Sequence, residues 1–168
     1  MNSSEHKPDE EIHVGMADMK FGLAPLMLTS LGLGSCVGIM LYYSRTKIGG
    51  LAHIMLPDVD AVKNKINRAK FANTAIPDLV DKLEGLGADR RFLKAKIMGG
   101  AHMFGFATTN KVFNVGSRNV EKVKAILKEM RIRLVAEDTG GSYGRSVYFD
   151  LSTGEVRVRT INHGEKIL

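Results

Sequence analysis

The chain has 168 residues, with 44% hydrophobic and 25% charged side chains, which predicts one soluble globular domain and excludes collagen-like and wholly disordered chains. A single cysteine excludes an internal disulfide framework and any cysteine-rich zinc or iron–sulfur centre, and 18 glycines without tryptophan suit a strand-rich fold with tight turns. The net charge of +6 is uneven, with 4 basic and 7 acidic side chains in residues 1–60 but 20 and 11 in residues 61–168; this is either a solvated surface or a basic face for an acidic partner, and its scattered basic residues do not predict nucleic-acid binding.

Residues 1–11 read as a disordered tail, followed by a single domain over 12–168. Strand-like alternation begins at Ile12 and runs through Val14 and Met16. Residues 23–28 form a short apolar run. The small-residue segment TSLGLGSCVG follows, and then a β-rich run over 37–43. The turn-prone residues Ser44, Arg45, Thr46 and Lys47 separate it from a second run over 48–56, which Pro57 stops. These two runs predict a hairpin. Gly38, Gly49, Gly50 and Ala52 suggest that backbone or a ligand comes close to it.

Residues 61–86 show helical spacing through Phe71, Ala75, Leu79 and Leu83, with Pro77 expected to kink or split the helix. A strand over 94–98 leads into Gly99 and Gly100. A second helix over 120–130 carries the stripe Val120, Val123, Ile126, Leu127 and Met130, with Ser117 or Asn119 as its cap. Strands over 134–138, 146–151 and 156–161 complete the pattern, the last two joined by a turn at Ser152, Thr153 and Gly154. The expected class is α+β: a layered α/β sandwich of mixed strands with two main helices.

No apolar run approaches the ~18 residues of a membrane span, so no insertion is expected. The start, MNSSEHKPDEE, lacks the order of a secretory signal, and with a lone cysteine this predicts a cytoplasmic setting.

Cys36 is the residue with the most chemistry to offer. Small neighbours, Gly32, Gly34 and Ser35, would let a carbonyl approach, and free N–H groups at the turn could hold an oxyanion. A free cysteine also packs well as a small buried group, and by itself Cys36 reads more readily that way. As a nucleophile it needs a base, because little thiolate exists at neutral pH. In the hairpin, His53 falls near the same open end as Cys36, while His102 beside Gly100 is the rival base. Thr29 and Ser30 are the nearest hydroxyls that could orient an imidazole. No pair of candidate ligands has metal-site spacing.

The segment LGLGSCVGI over 31–39, followed by GLAHIMLP over 50–57, resembles the CheD family of chemoreceptor glutamine deamidases. Further landmarks follow in order: IMGGAHMF over 97–104, NVGSRN over 114–119 and DTGGSYGR over 138–145. The resemblance covers residues ~12–161. It implies a fold similar to the catalytic domain of glutamine-deamidating toxins, with Cys36 as nucleophile and His53 as base. It places Ser30 where the family carries a threonine, six residues before the cysteine. Serine keeps the hydroxyl and lacks the methyl that restricts its rotamer.

The implied reaction is a thioester deamidation of glutamine in the cytoplasmic domain of methyl-accepting chemotaxis receptors, with no cofactor or metal. Methylesterase activity at the same centre and regulation of a CheC-type phosphatase are also implied. Gly34, Ser35, Gly99, Gly100, Arg118 and Asn119 are candidates for substrate or oxyanion binding. The glycines can equally be turn residues, Arg118 and Arg145 can hold loops through carboxylates such as Asp138, and His102 can be structural. The alternative to an enzyme is a non-catalytic module that stimulates a CheC-type phosphatase.

Overall fold

A computed structural model describes residues 10–61, 67–103 and 114–168. Ten strands form two five-stranded sheets. The outer sheet contains β1 (Glu10–His13), β3 (Leu26–Leu33), β8 (Arg145–Asp150), β9 (Val156–Arg159) and β10 (Glu165–Ile167), adjacent in that order. The central sheet has the order β2-β5-β4-β6-β7, from β2 (Asp18–Leu23), β5 (Ile48–Ile54), β4 (Val37–Tyr43), β6 (Lys94–Gly99) and β7 (Arg133–Thr139). Helices α1 (Ala72–Gly85) and α2 (Val115–Glu129) cover the other face of the central sheet. The result is the expected α+β sandwich, in three layers.

Side-chain alternation explains the layering. On β4, Val37, Ile39, Leu41 and Tyr43 face the helices, while Met40 joins the inter-sheet core with Leu51, Met98, Leu28 and Phe149. A sheet buried on both faces reads as a continuous apolar run, which is how β4 reads. Two adjacent glycines let both outer layers close on β5. A Cβ on Gly49 would lie 2.6 Å from Leu151 Cδ2, and one on Gly50 would lie 2.6 Å from Leu79 Cδ1. The close neighbours anticipated here are therefore mainly packed side chains. β6 and β7 are parallel, and α2 belongs to the crossover between them.

The expected hairpin forms in register, with Val37 opposite Ile54 and Tyr43 opposite Ile48. Several boundaries differ from expectation. β1 begins at Glu10, inside the stretch read as tail, and residues 1–9 lie outside the described residues. The apolar run over 23–28 straddles the turn between β2 and β3, at Ala24 and Pro25. The first helix starts at Ala72, preceded by a short 3-10 turn at Arg68–Lys70; residues 62–66 of the anticipated helix lie outside the described residues. Pro77 does not split α1, because it sits just past the first turn and removes only one donor. The second helix starts five residues earlier than its apolar stripe suggested. Its N-cap is Asn114, so Ser117 and Asn119 are helix-interior residues and not caps. Among the described residues, no helix is long and apolar enough to cross a membrane.

One ion pair ties the two sheets at an end. Arg145, the first residue of β8, is 1% exposed and donates to Asp138 Oδ1 of β7 at 3.2 Å. It also donates to the Gly140 carbonyl at 2.8 Å, and Lys166 of β10 reaches the other Asp138 oxygen at 3.2 Å. The loop-holding reading of Arg145 is the one observed. Removing one partner strands a buried charge, whereas Lys166 is half exposed. Arg145→Ala is therefore expected to lose about 3 kcal/mol in urea unfolding, and Lys166→Ala under about 1 kcal/mol.

Candidate active site

The site assembles where the end of β3, the loop entering β4 and the last turn of β5 meet. On β5, residues 49, 51 and 53 face the outer sheet, so His53 projects into the inter-sheet layer, where it is 2% exposed. Ser30 of β3, fully buried, meets it: its Oγ lies 2.8 Å from His53 Nδ1. Thr29, the alternative hydroxyl, takes the opposite face of β3 by strand alternation. Between Ser30 and Leu33 a β-bulge inserts one extra residue, since Ser30 faces Val147 while Leu33 faces Arg145. The bulge swings the chain off the outer sheet toward Cys36.

Proton counting fixes the imidazole tautomer. The Ser30 hydroxyl has one proton and donates it to the Val14 carbonyl at 2.7 Å. Its oxygen must then accept from His53 Nδ1–H. The Nδ1 proton leaves Nε2 with a free lone pair, and Nε2 is buried with no hydrogen-bond partner among the described residues. An unsatisfied buried acceptor costs about 1–3 kcal/mol, so an unpartnered Nε2 calls for an explanation. Burial is the main cause that pushes the His53 pKa below its ordinary 6.5. The Val14 carbonyl opposes this, and the nearby His13 adds to it. The ring is therefore neutral at pH 7.

Cys36 is half-buried against the inter-sheet core. Burial pushes its thiol above the ordinary 9.0, while its own backbone N–H, lying against the sulfur, pulls the other way. The thiol is thus protonated at neutral pH and depends on a base. His53 pairs with Gly38 across the hairpin, two residues from Cys36, with its lone pair unengaged.

The backbone around the thiol is pinned carbonyl by carbonyl. The Gly34 oxygen accepts from Ala101 N–H at 2.8 Å, the Ser35 oxygen from Asn119 Nδ2 at 2.9 Å, and the Cys36 oxygen from Gly100 N–H at 2.8 Å. Gly99 and Gly100 adopt φ of +113° and +66°, and a Cβ on Gly99 would run into the Cys36 carbonyl oxygen. Glycine is required there both by conformation and by contact. Gly34 packs beneath Met103, whose Cγ would lie 3.2 Å from an added Cβ.

The structure thus brings Cys36, His53, Ser30, Gly34, Ser35, Gly99, Gly100 and Asn119 together. Arg118 stands apart: it is exposed and its side chain has no hydrogen bond or ion pair among the described residues. His102 pairs its Nε2 with Ser117 Oγ at 2.7 Å and donates its N–H to Gly141, which gives it a structural role. Phe104 of the glycine landmark lies outside the described residues. Sequence reading missed the Val14 carbonyl, for which alternation in β1 was the only signal. It also missed the bridging role of Asn119. The available signal was position: Gly116, Asn119 and Val123 fall on one helical stripe.

The CheD family profile, described as CheD chemotactic sensory transduction, matches residues 55–160. A relative from Clostridium novyi (strain NT) is 49% identical over 155 residues, covering 92% of this chain and 96% of its own length. One from Clostridium botulinum (strain Hall) is 50% identical over 157 residues, covering 94% and 97%. Both carry the name "Probable chemoreceptor glutamine deamidase CheD". The chain belongs to the CheD family. The resemblance drawn from the motifs is thereby established over nearly the whole chain.

A half-buried thiol whose pKa is raised by burial should be a slow nucleophile toward small reagents at neutral pH. Alkylation of Cys36 by iodoacetamide is expected to rise with pH, with a midpoint above 9.0 in the native protein. A midpoint near 7 would instead indicate a thiolate–imidazolium pair.

Proposed function

We propose that this CheD family member deamidates glutamine side chains in the cytoplasmic domain of methyl-accepting chemotaxis receptors, with Cys36 as nucleophile and His53 as general base. The observation that carries the reading is the His53 tautomer: Nδ1–H engaged by Ser30, Nε2 buried and unpartnered. A base in that state can accept a thiol proton without first giving up another bond. The names of the relatives supply the substrate class.

The reaction runs in two acyl-transfer halves. His53 Nε2 takes the Sγ proton as sulfur attacks the glutamine carboxamide carbon, forming a tetrahedral oxyanion. The N–H groups of Ser35 and Cys36 are the proposed donors to that oxygen. Nε2–H then protonates the departing ammonia, leaving a thioester. Water gives a proton to Nε2 and attacks the thioester carbon. The second tetrahedral adduct collapses to glutamate, and sulfur leaves and regains its proton from Nε2. The balance is glutamine plus water to glutamate plus ammonia, with no cofactor in any step. A receptor methyl ester enters the same cycle with methanol as leaving group.

Ser30 acts as a positioning residue that holds the tautomer. Gly34, Gly99 and Gly100 shape the backbone beside the sulfur. Arg118, exposed and uncommitted, is assigned to acidic groups of the receptor helix. The excess of basic residues over 61–168 suits a glutamate-rich partner. A CheC-type phosphatase is proposed to occupy the same face, inhibiting deamidation while being stimulated itself. Cytoplasmic action follows from the receptor domain addressed.

Incubation with a purified receptor cytoplasmic fragment, read by site-resolved mass spectrometry, should add about one mass unit per converted glutamine through the thioester route. Cys36→Ala should abolish the gain, and His53→Ala should slow it by roughly 10²–10⁴-fold. No gain with folded wild type on its cognate receptors would favour the non-catalytic phosphatase-regulating module. Because the His53 pKa lies below 6.5, the rate should hold as pH falls to about 6.5 and drop only below it. An acid limb centred above 7 would contradict His53 as the base.

A further inference from the structure

Asn119 is out of place by the ordinary rules of helices. Asparagine is a poor residue for a helix interior. Here it is fully buried, on the same stripe of α2 as Gly116, Val123, Ile126 and Leu127. An apolar residue would suit that stripe better, because a buried amide must find partners for each polar atom. Asn119 finds partners for only one side of its amide. Nδ2 donates to the Ser35 carbonyl at 2.9 Å and to the Met55 carbonyl at 3.0 Å, while Oδ1 is buried with no partner. The amide cannot be flipped, since both facing groups are carbonyls that only accept.

The two acceptors explain why this arrangement is kept. Ser35 directly precedes Cys36, and Met55 lies two residues after His53. One side chain on α2 therefore holds both the entry to the nucleophile's strand and the exit from the base's strand. A trans peptide points its carbonyl and its N–H in opposite directions. Turning the Ser35 carbonyl into α2 thus turns the Cys36 N–H away from α2, to the side on which that N–H lies against the sulfur. Holding the Gly34 carbonyl on Ala101 fixes the next peptide in the same way, with the Ser35 N–H turned away from Ala101. The helix can come close enough because position 116 is glycine: a Cβ there would lie 2.5 Å from the Ala101 oxygen and 2.6 Å from the Gly100 oxygen.

The geometry points to Asn119 as the positioning residue that locks the Ser35–Cys36 peptide, turns its one N–H away from α2, and keeps the β4 entry in register with the β5 exit. It touches neither sulfur nor imidazole and acts through the backbone. Its effect on turnover rests on the deamidase reading; its effect on the thiol does not.

The test uses Asn119→Asp, which keeps the size and turns an oxygen toward the two carbonyls, and Asn119→Ser, which can keep one donor. In both, Cys36 alkylation by iodoacetamide should shift to higher pH than in wild type, since the thiolate loses its N–H. On a receptor fragment kcat should fall by roughly 10²-fold, with KM changed less than about twofold, as for loss of an oxyanion donor. A lower Tm with an unchanged alkylation profile and unchanged kcat per folded molecule would reduce Asn119 to packing and overturn the proposal. If neither variant folds, the wild type still decides: the Asn119 side-chain amide protons must exchange slowly, and fast exchange overturns the clamp. If wild type deamidates nothing, the deamidase reading fails while the alkylation shift still tests Asn119.

Discussion

Val37 stands opposite Ile54 and Gly38 opposite His53, and a slip of one residue in that pairing would turn the imidazole from the inter-sheet layer to the helices. The register is secured from both sides. Helix-facing and sheet-facing residues of β4 and β5 are buried, so a slipped hairpin would exchange two packed layers at once. From this register follow the meeting of His53 with Ser30, the place of Cys36 at the open end, and the reach of α2 across both strands. The geometry of the candidate site is in this sense a property of the central sheet.

The electrostatics of the site follow from where the register puts it. Among the described residues, no carboxylate holds the imidazole. A serine hydroxyl and a main-chain carbonyl do, and neither brings a negative charge to stabilise an imidazolium. Burial disfavours the charged form of each partner, so thiol and imidazole rest as a neutral pair. The two hydrogen bonds of Ser30 need only a hydroxyl with one proton to give and a lone pair to receive.

Much of this was legible in the sequence wherever the signal was local. The β4–β5 hairpin declared itself by two β-rich runs around a polar turn, and Cys36 with His53 followed from counting along it. The α2 stripe marked the body of the helix but not its first turn, because Gly116 and Asn119 are apolar-stripe positions filled by non-apolar residues. β2 and β10 carried no clear alternation, being edge strands with exposed side chains. The start of α1 was displaced because Phe71 packs into the core as the N-cap and not as a helical residue. Ser30 could be separated from Thr29 only once strand parity was known. The roles of Val14 and Asn119 are tertiary: a carbonyl and an amide acquire meaning only from what folding brings to them.

The pinning of the Cys36 loop also bears on how the molecule comes into being. Its contacts join Val14 to Ser30, Ser30 to His53, Cys36 to Gly100, and Ser35 to Asn119. These are closures of large loops, and their entropic cost must be met before the bonds return anything. The parallel β6–β7 pair likewise needs the long crossover that contains α2. The surroundings of Cys36 are therefore a long-range property of the chain: no segment shorter than the one from Val14 to Asn119 contains every residue that pins them.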